Sequence, residues 1–507
     1  MRTFIFLFCL LLSAGLSAQK IFYSLTDRND ARNLEYSIIG KYGMQYYVYK
    51  NIRSEHKITV YNREMEVKED IYLEFIPEKI SSVETFRMAD GILIIYQFQK
   101  KNVAYCMQAQ LDVSGKLKGA PSVIDTTIVS LTNNKDIIYA SAISEDKRRF
   151  VIFKMKNKSA TLFDFALWSY GDSSNQVRTS RFQYAVEGER DIPSNFSVDN
   201  QGNFLFSSMF KSSQKDQVNK ATICVYPASG DSLSSNVVLL GKMFPDEIRL
   251  KVDNYNSRCL LSSFYSGSRR GNIEGLIYLN FDYAEKKVVH FKLFEFTEEL
   301  KNIAKGDNSL QGAFNDFYLN DFIVRKDGGV VLLAESNYTN NRNTGFNRWD
   351  NPYNWGWGGR TGMNWGMSPF NNFGWGMPGG WNSFGAQTIR YFSENIVAFS
   401  IDKSGDIVWN NVMAKSQFED NTDQLLSYQW VNTGKEILLL YNEWTRRSPV
   451  LTMQALDRDG QLSRQQPLKN MDKGYDFIIR NARQVGLREI IVPVLNRNSI
   501  SFARIDF

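Results

Sequence analysis

The sequence predicts an all-β chain assembled from repeated four-stranded units, and three observations carry that prediction. Paired turn signals recur. One kind precedes a strongly apolar run, as in Ala89-Asp-Gly91, Asp199-Asn-Gln-Gly202, Lys326-Asp-Gly-Gly329 and Asn432-Thr-Gly434. The other follows about 20–30 residues later, as in Asp112-Val-Ser-Gly115, Asp402-Lys-Ser-Gly405 and Asp457-Arg-Asp-Gly460. Asp at the first position and Gly at the fourth fit a type I turn closed by a left-handed glycine. The apolar runs between these signals do not alternate: Ile92-Leu-Ile-Ile-Tyr-Gln-Phe98, Val330-Val-Leu-Leu333 and Glu489-Ile-Ile-Val-Pro-Val-Leu495 are apolar on both faces. Aromatics make up 14% of the chain and prolines number 11, which suits a large β protein with ample core.

Each unit reads as strand a, turn, strand b, loop, strand c, turn, strand d. Eight units follow, with strand b near residues 45, 93, 138, 204, 260, 331, 438 and 490; seven remains compatible with the pattern. In the third unit the first turn is read at Asn133-Asn-Lys135, which makes Ser144–Arg149 a b–c loop. A short helix is expected at Glu298–Ala304, between units. The eighth unit has three strands, Phe477–Arg483, Arg488–Leu495 and Ser499–Phe507, while Lys20–Leu25 is an orphan strand near the start. Pairing the orphan with the last strand closes a ring and leaves no open edge.

Strands apolar on both faces must be covered on both sides. An outer-membrane barrel needs apolar-out, polar-in alternation, which these strands lack. A ring of stacked blades buries both faces of its middle strands, so the expected fold is a β-propeller. The turn–strand repeats resemble those of exported bacterial β-propellers, over nearly all of the chain beyond its leader. Kelch and WD40 hallmarks are missing, and Asp-x-x-Gly is not the sialidase Asp-box spacing.

The start of the chain sets the expected compartment. Met-Arg-Thr is a short basic start, Phe4–Leu12 is apolar, and Ser13–Ala18 supplies small residues. This predicts a signal peptide over residues 1–18, cleaved after Ala18, and a periplasmic or extracellular protein. The Ala18-Gln19 junction resembles exported proteins of Gram-negative bacteria. No later run approaches the length of a membrane-spanning helix. The expected organisation is a propeller over residues 19–507, interrupted in its sixth unit by an insertion at 337–390.

Composition narrows the function classes. Without Arg2 of the leader the chain carries 59 basic and 54 acidic residues, too balanced for a nucleic-acid signature. Cys106, Cys224 and Cys259 lie in apolar runs and read as buried free thiols; a Cys224–Cys259 bridge is the other option. His56 and His290 are the only histidines, which speaks against a histidine metal site or a Ser-His-Asp triad. Gly374-Trp-Gly-Met-Pro-Gly379 matches a dinucleotide fingerprint, but no strand precedes it. No metal and no cofactor is expected. Carboxylates such as Glu298 and Glu299, or Asp420 and Asp423, would suit glycosidase or lyase chemistry, and solvated loop acids equally.

Two features point toward binding. Residues 340–386 form a Trp/Gly/Asn-rich tract that holds Trp349, Trp355, Trp357, Trp365, Trp375 and Trp381 and has no helical or strand period. Flat indoles desolvate the apolar face of a sugar, and asparagines supply hydrogen bonds, so the tract reads as a glycan platform, a protein-docking loop, or a low-complexity expansion without a ligand. The second feature is basic. The b–c loops read from the sequence hold 14 Lys/Arg against 5 Asp/Glu, with Arg148 and Arg149, Arg269 and Arg270, and Arg446 and Arg447 as the sharpest pairs. They form either a rim for an anionic glycan or charged tips that keep hairpins soluble. The d–a loops on the same face are acidic, with Asp172, Glu187, Glu189, Asp191, Glu298, Glu299, Glu419, Asp420 and Asp423. The expected function is an exported, non-enzymatic propeller that engages a partner protein or surface glycan through its b–c face. A polysaccharide-active enzyme and a structural subunit of a cell-envelope assembly are the alternatives, and the oligomeric state is open.

Overall fold

Eight antiparallel sheets stand around a ring in the computed structural model of the chain, each a four-stranded blade. The structure describes residues 20–26, 34–129, 138–159, 161–171, 176–186, 191–210, 220–230, 232–241, 243–246, 248–268, 271–305, 312–340, 390–444, 449–465, 467 and 474–507. The inner strands, in blade order, are Leu34–Tyr42, Ser82–Met88, Ala140–Ile143, Asp191–Val198, Arg249–Asp253, Phe317–Val324, Tyr428–Asn432 and Arg483–Gly486. The fifth and eighth are each preceded by a short separate segment, Phe244–Pro245 and Tyr475–Phe477, on the same side of the sheet.

The two-faced apolar runs do what their pattern requires. Eight buried hydrophobic clusters fill the eight seams between neighbouring blades. In the second strand of blade seven, Ile437–Trp444, Leu438 and Leu440 pack into the seam with blade eight. Leu439 and Tyr441 pack into the seam with blade six. Alternate side chains of one strand thus serve two interfaces, the period of two that defines a strand. In blade two, Ile92 and Ile94 face blade one, and Leu93 and Ile95 face blade three.

The ring closes as the orphan strand predicted. Lys20–Tyr23 pairs antiparallel with Ser499–Asp506, with Lys20 opposite Asp506 and Tyr23 opposite Ala503. The Ser24 amide then donates to the Phe502 carbonyl at 2.8 Å, and the Phe502 amide returns a bond to Ser24 Oγ at 2.9 Å. The Asp-x-x-Gly turns also form as expected. At Asp112 the carboxylate accepts from the Ser114 and Lys116 amides at 2.8 and 3.0 Å, and Gly115 takes φ +84°. The expected helix is present: Thr297 Oγ1 caps Glu298–Ala304 by accepting from the Leu300 amide.

The third blade departs from the sequence reading. Its strands are Ala140–Ile143, Phe150–Ser159, Leu162–Tyr170 and Gln176–Ala185. Ser144–Arg149 therefore joins strands a and b and is not a b–c loop. The outer half of Phe150–Ser159 is polar and solvent-facing, so its apolar stretch is short and reads weaker than the strand that follows. Asn157 lies within the ladder opposite Phe163. The misplaced third unit is a slip of one strand.

Candidate functional site

Antiparallel order decides which connections share a face. The a–b and c–d turns leave every blade at one face, called here the turn face, and the b–c and d–a connections leave at the other, the loop face. At blade six, Val330–Asn340 and Arg390–Ile401 end side by side on the loop face, with Asn340 paired to Arg390. Residues 341–389 connect these two ends, and Trp349, Trp355, Trp357, Trp365, Trp375 and Trp381 lie among them, outside the described residues.

The strand ends that hold this tract carry an aromatic row. Tyr338 is opposite Phe392, and Phe392 is opposite Phe418 of Gln417–Asp420, the outer segment of the blade. The Tyr338 and Phe392 rings stack at 4.7 Å, Phe392 and Phe418 lie 6.4 Å apart, and Phe418 reaches Trp444 of blade seven at 6.3 Å. Arg390 lies 4.6 Å over the Phe418 ring and forms a two-pronged ion pair with Asp420 at 2.7 and 2.9 Å. Phe418 is 44% exposed, so part of the row is open to solvent at the base of the tract.

A buried polar clamp fixes the strands beneath. A bulge between Glu335 and Asn337 turns Glu335 inward, 3.0 Å from Lys415 Nζ, and both side chains are sealed from water. Lys415 also donates to Ser393 Oγ at 2.8 Å and Gln417 Oε1 at 2.7 Å, while Glu335 accepts from Ser393 and Ser427 hydroxyls at 2.9 and 2.6 Å. Such a pair, paid for by full hydrogen bonding, holds register; its burial denies access to a substrate.

Carboxylates gather nearby on the loop face. Burial pushes the Glu419 carboxyl up to about 7; the Leu425 amide and Arg480 oppose that shift, and Asp423 and Asp476 reinforce it. Arg480 is itself paired with Asp423 at 2.9 Å. A second feature of this face is a cavity of about 440 Å³ at blade one, lined by Arg53, Ser54, His56, Tyr72, Glu74 and Glu78 among others. His56 Nδ1 and the Tyr49 hydroxyl share a 2.6 Å hydrogen bond, and burial lowers the imidazole and raises the phenol.

The basic rim does not assemble as the sequence suggested. Arg148 and Arg149 belong to the turn face. The Asp146 amide of their turn donates to Asn200 of the fourth blade's a–b turn at 3.2 Å, and the Asn200 amide donates to Asn254 of the fifth blade's at 2.8 Å. Arg269, Arg270, Arg446 and Arg447 lie outside the described residues, within the b–c connections of blades five and seven. The true b–c connection of blade three, residues 160–161, carries no charge. Sequence reasoning named Glu419 and Asp420 but missed Arg390, Phe418, Arg87 and Arg483. Arg87 and Arg483 both lie on inner strands, which line the channel.

Cys106, Cys224 and Cys259 are free and buried, and burial raises all three thiols. No helix among the described residues is long and apolar enough to cross a membrane.

The fold and its two faces define the class: an eight-bladed β-propeller whose last blade is completed by its first strand. No protein-family profile matches the chain, and no curated protein does. Among solved structures it is similar to the polysaccharide lyase Uly1, at 10% identity over 84% of this chain and 89% of that one, with a TM-score of 0.37. It is similar to prolyl oligopeptidase B from Galerina marginata at 7% identity over 92% of this chain and 56% of that one, TM-score 0.41. Cobalt-substituted Synechocystis ACO aligns at 9% identity over 96% and 93% of the two chains, TM-score 0.32.

Proposed function

We propose that this chain is an exported, non-enzymatic binding propeller that engages a surface glycan or partner protein through the loop face of blade six. The observation that supports this is the aromatic row Tyr338, Phe392, Phe418 and Trp444, topped by the Arg390–Asp420 pair, at the root of a tract that holds six tryptophans. Stacked rings flanked by fixed charge form a surface suited to sugar faces and aromatic side chains alike. Export rests on the leader at residues 1–18. Because Asn340 and Arg390 are cross-strand partners, a short Gly-Ser linker can replace 341–389 without stretching the blade. The replaced protein should melt like the parent and lose signal on a glycan array and in capture of envelope proteins. Binding that survives the replacement would sink this reading.

Glu419 supports a second reading, a polysaccharide-active enzyme. A carboxyl still protonated near neutrality beside Arg480 has the form of a general acid. Release of reducing ends from acidic polysaccharide by the parent, lost in Glu419→Gln, would favour it; no release by the parent would end it.

A further inference from the structure

We propose that the turn-face mouth of the central channel is an oxyanion-binding site, where Arg87, Lys147 and Arg483 together hold a phosphate or sulfate group. The three residues come from blades two, three and eight, and the ring brings them together over blade one. Arg87 donates Nε to the Lys41 carbonyl at 2.8 Å and lies 4.8 Å over the Tyr42 ring. Arg483 donates to the Ile38 carbonyl at 2.5 Å. The two guanidinium groups thus flank the bulge at Ile38–Gly40 from opposite sides. Gly40 has φ +134°, and a Cβ there would sit 3.0 Å from Arg87 Cδ, so the backbone leaves room for the arginine.

Lys147 reaches the same place from the third blade's a–b turn, which lies across the mouth. Glu145 of that turn accepts from Asn254 of blade five at 2.9 Å and lies 3.8 Å from Lys251. Asp146 is tied to blade four, and Lys147, at φ +60°, comes within electrostatic reach of Arg87 and Arg483. Crowding by protein and these two cations lowers the Lys147 ammonium to about 8, and Arg483 is depressed by burial and by Arg87. Among the described residues no carboxylate pairs with any of the three. The nearby acids are occupied: Glu489 with Lys41 and Tyr46, Glu145 with blade five, and Asp146 with Ser144 and its own turn. Each arginine uses one N–H on blade one, and its others have no partner among the described residues. Three mutually repelling cations with spare donors match a tetrahedral dianion, whose oxygens would each accept a charge-assisted bond.

Among the described residues Lys147 makes no side-chain hydrogen bond or ion pair, so Lys147→Gln tests the site without disturbing the fold. Sulfate and inorganic phosphate are titrated calorimetrically into the full chain at constant ionic strength, with chloride as control. The site requires saturable binding at one ion per chain, weakened at least tenfold in Lys147→Gln with an unchanged melting temperature. Absence of saturable binding in the parent overturns it, as does equal affinity in Lys147→Gln. Glucose 6-phosphate distinguishes the sources. Tighter binding than phosphate supports the site and assigns the group to a sugar ester; equal or weaker binding supports it and assigns the free ion.

Discussion

The Asp146 amide donates to the Asn200 side chain at 3.2 Å, and this contact decides which face of the ring carries Arg148 and Arg149. Asn200 belongs to an undisputed a–b turn, closed by the Gly202 amide on the Asp199 carbonyl at 3.1 Å. Arg149 packs its aliphatic stem near Gly202 of that turn. The arginine pair is thus part of a strap over the channel, on the face opposite the tryptophan tract, and cannot serve a common rim with it.

Ring closure is testable by truncation. Removing residues up to 26 strips the outer strand from blade eight, along with Ile21 and Tyr23, which pack on the seam between blades seven and eight. Lost burial and ladder bonds should cost on the order of 3 kcal/mol. Urea denaturation of the truncated chain should show a clearly lower midpoint; coincident curves would mean that the strand adds nothing.

The Glu335–Lys415 clamp predicts a large single-mutant effect. Lys415→Met leaves a carboxylate buried without its cation and should destabilise by about 3–5 kcal/mol. Adding Glu335→Leu should recover most of that loss, since the penalty lies in the orphaned charge. A mild effect of Lys415→Met alone would show that the clamp is solvated in practice.

Glu419 predicts a pH window. Its folded value of about 7 lies above the unfolded carboxyl, so the folded state holds its proton more tightly. Its contribution is therefore fully present below about 4.5 and is lost as pH rises through 7. Arg480, Asp423 and Asp476 face the same group, so the comparison must be with Glu419→Gln. That variant should gain on the parent by roughly 2 kcal/mol between pH 5 and 8. Parallel stability profiles would show that Glu419 ionises normally.

Gly40 links the fold to the channel mouth. Gly40→Ala places a Cβ against Arg87 at a φ that side chains rarely adopt, and should cost about 1–3 kcal/mol. Displacing Arg87 should also weaken sulfate binding in calorimetry, whereas Gly43→Ala, with open space around it, should leave the ion site intact. Equal sulfate affinity in the parent and in Gly40→Ala would separate the bulge from the site.

Local chemistry determined much of this protein from sequence alone. Ile92 through Phe98 announce two buried faces, Asp112 and Gly115 announce a tight turn, Glu298–Ala304 reads as a helix, and Lys20–Leu25 reads as the strand that completes a ring. These are short-range properties of strands and turns, and each was legible without knowing its neighbours. Tertiary structure decided the rest. A slip of one strand in blade three reverses the face of every connection in it, because antiparallel strands exchange ends, and the polar outer half of Phe150–Ser159 hid that slip. The meeting of Arg87, Lys147 and Arg483, like that of Glu335 and Lys415, follows from how far the ring curves and which bulges turn a side chain inward. No spacing along the chain encodes either: the three cations become neighbours only when the ring closes, and Glu335 and Lys415 only when the strands of blade six pair.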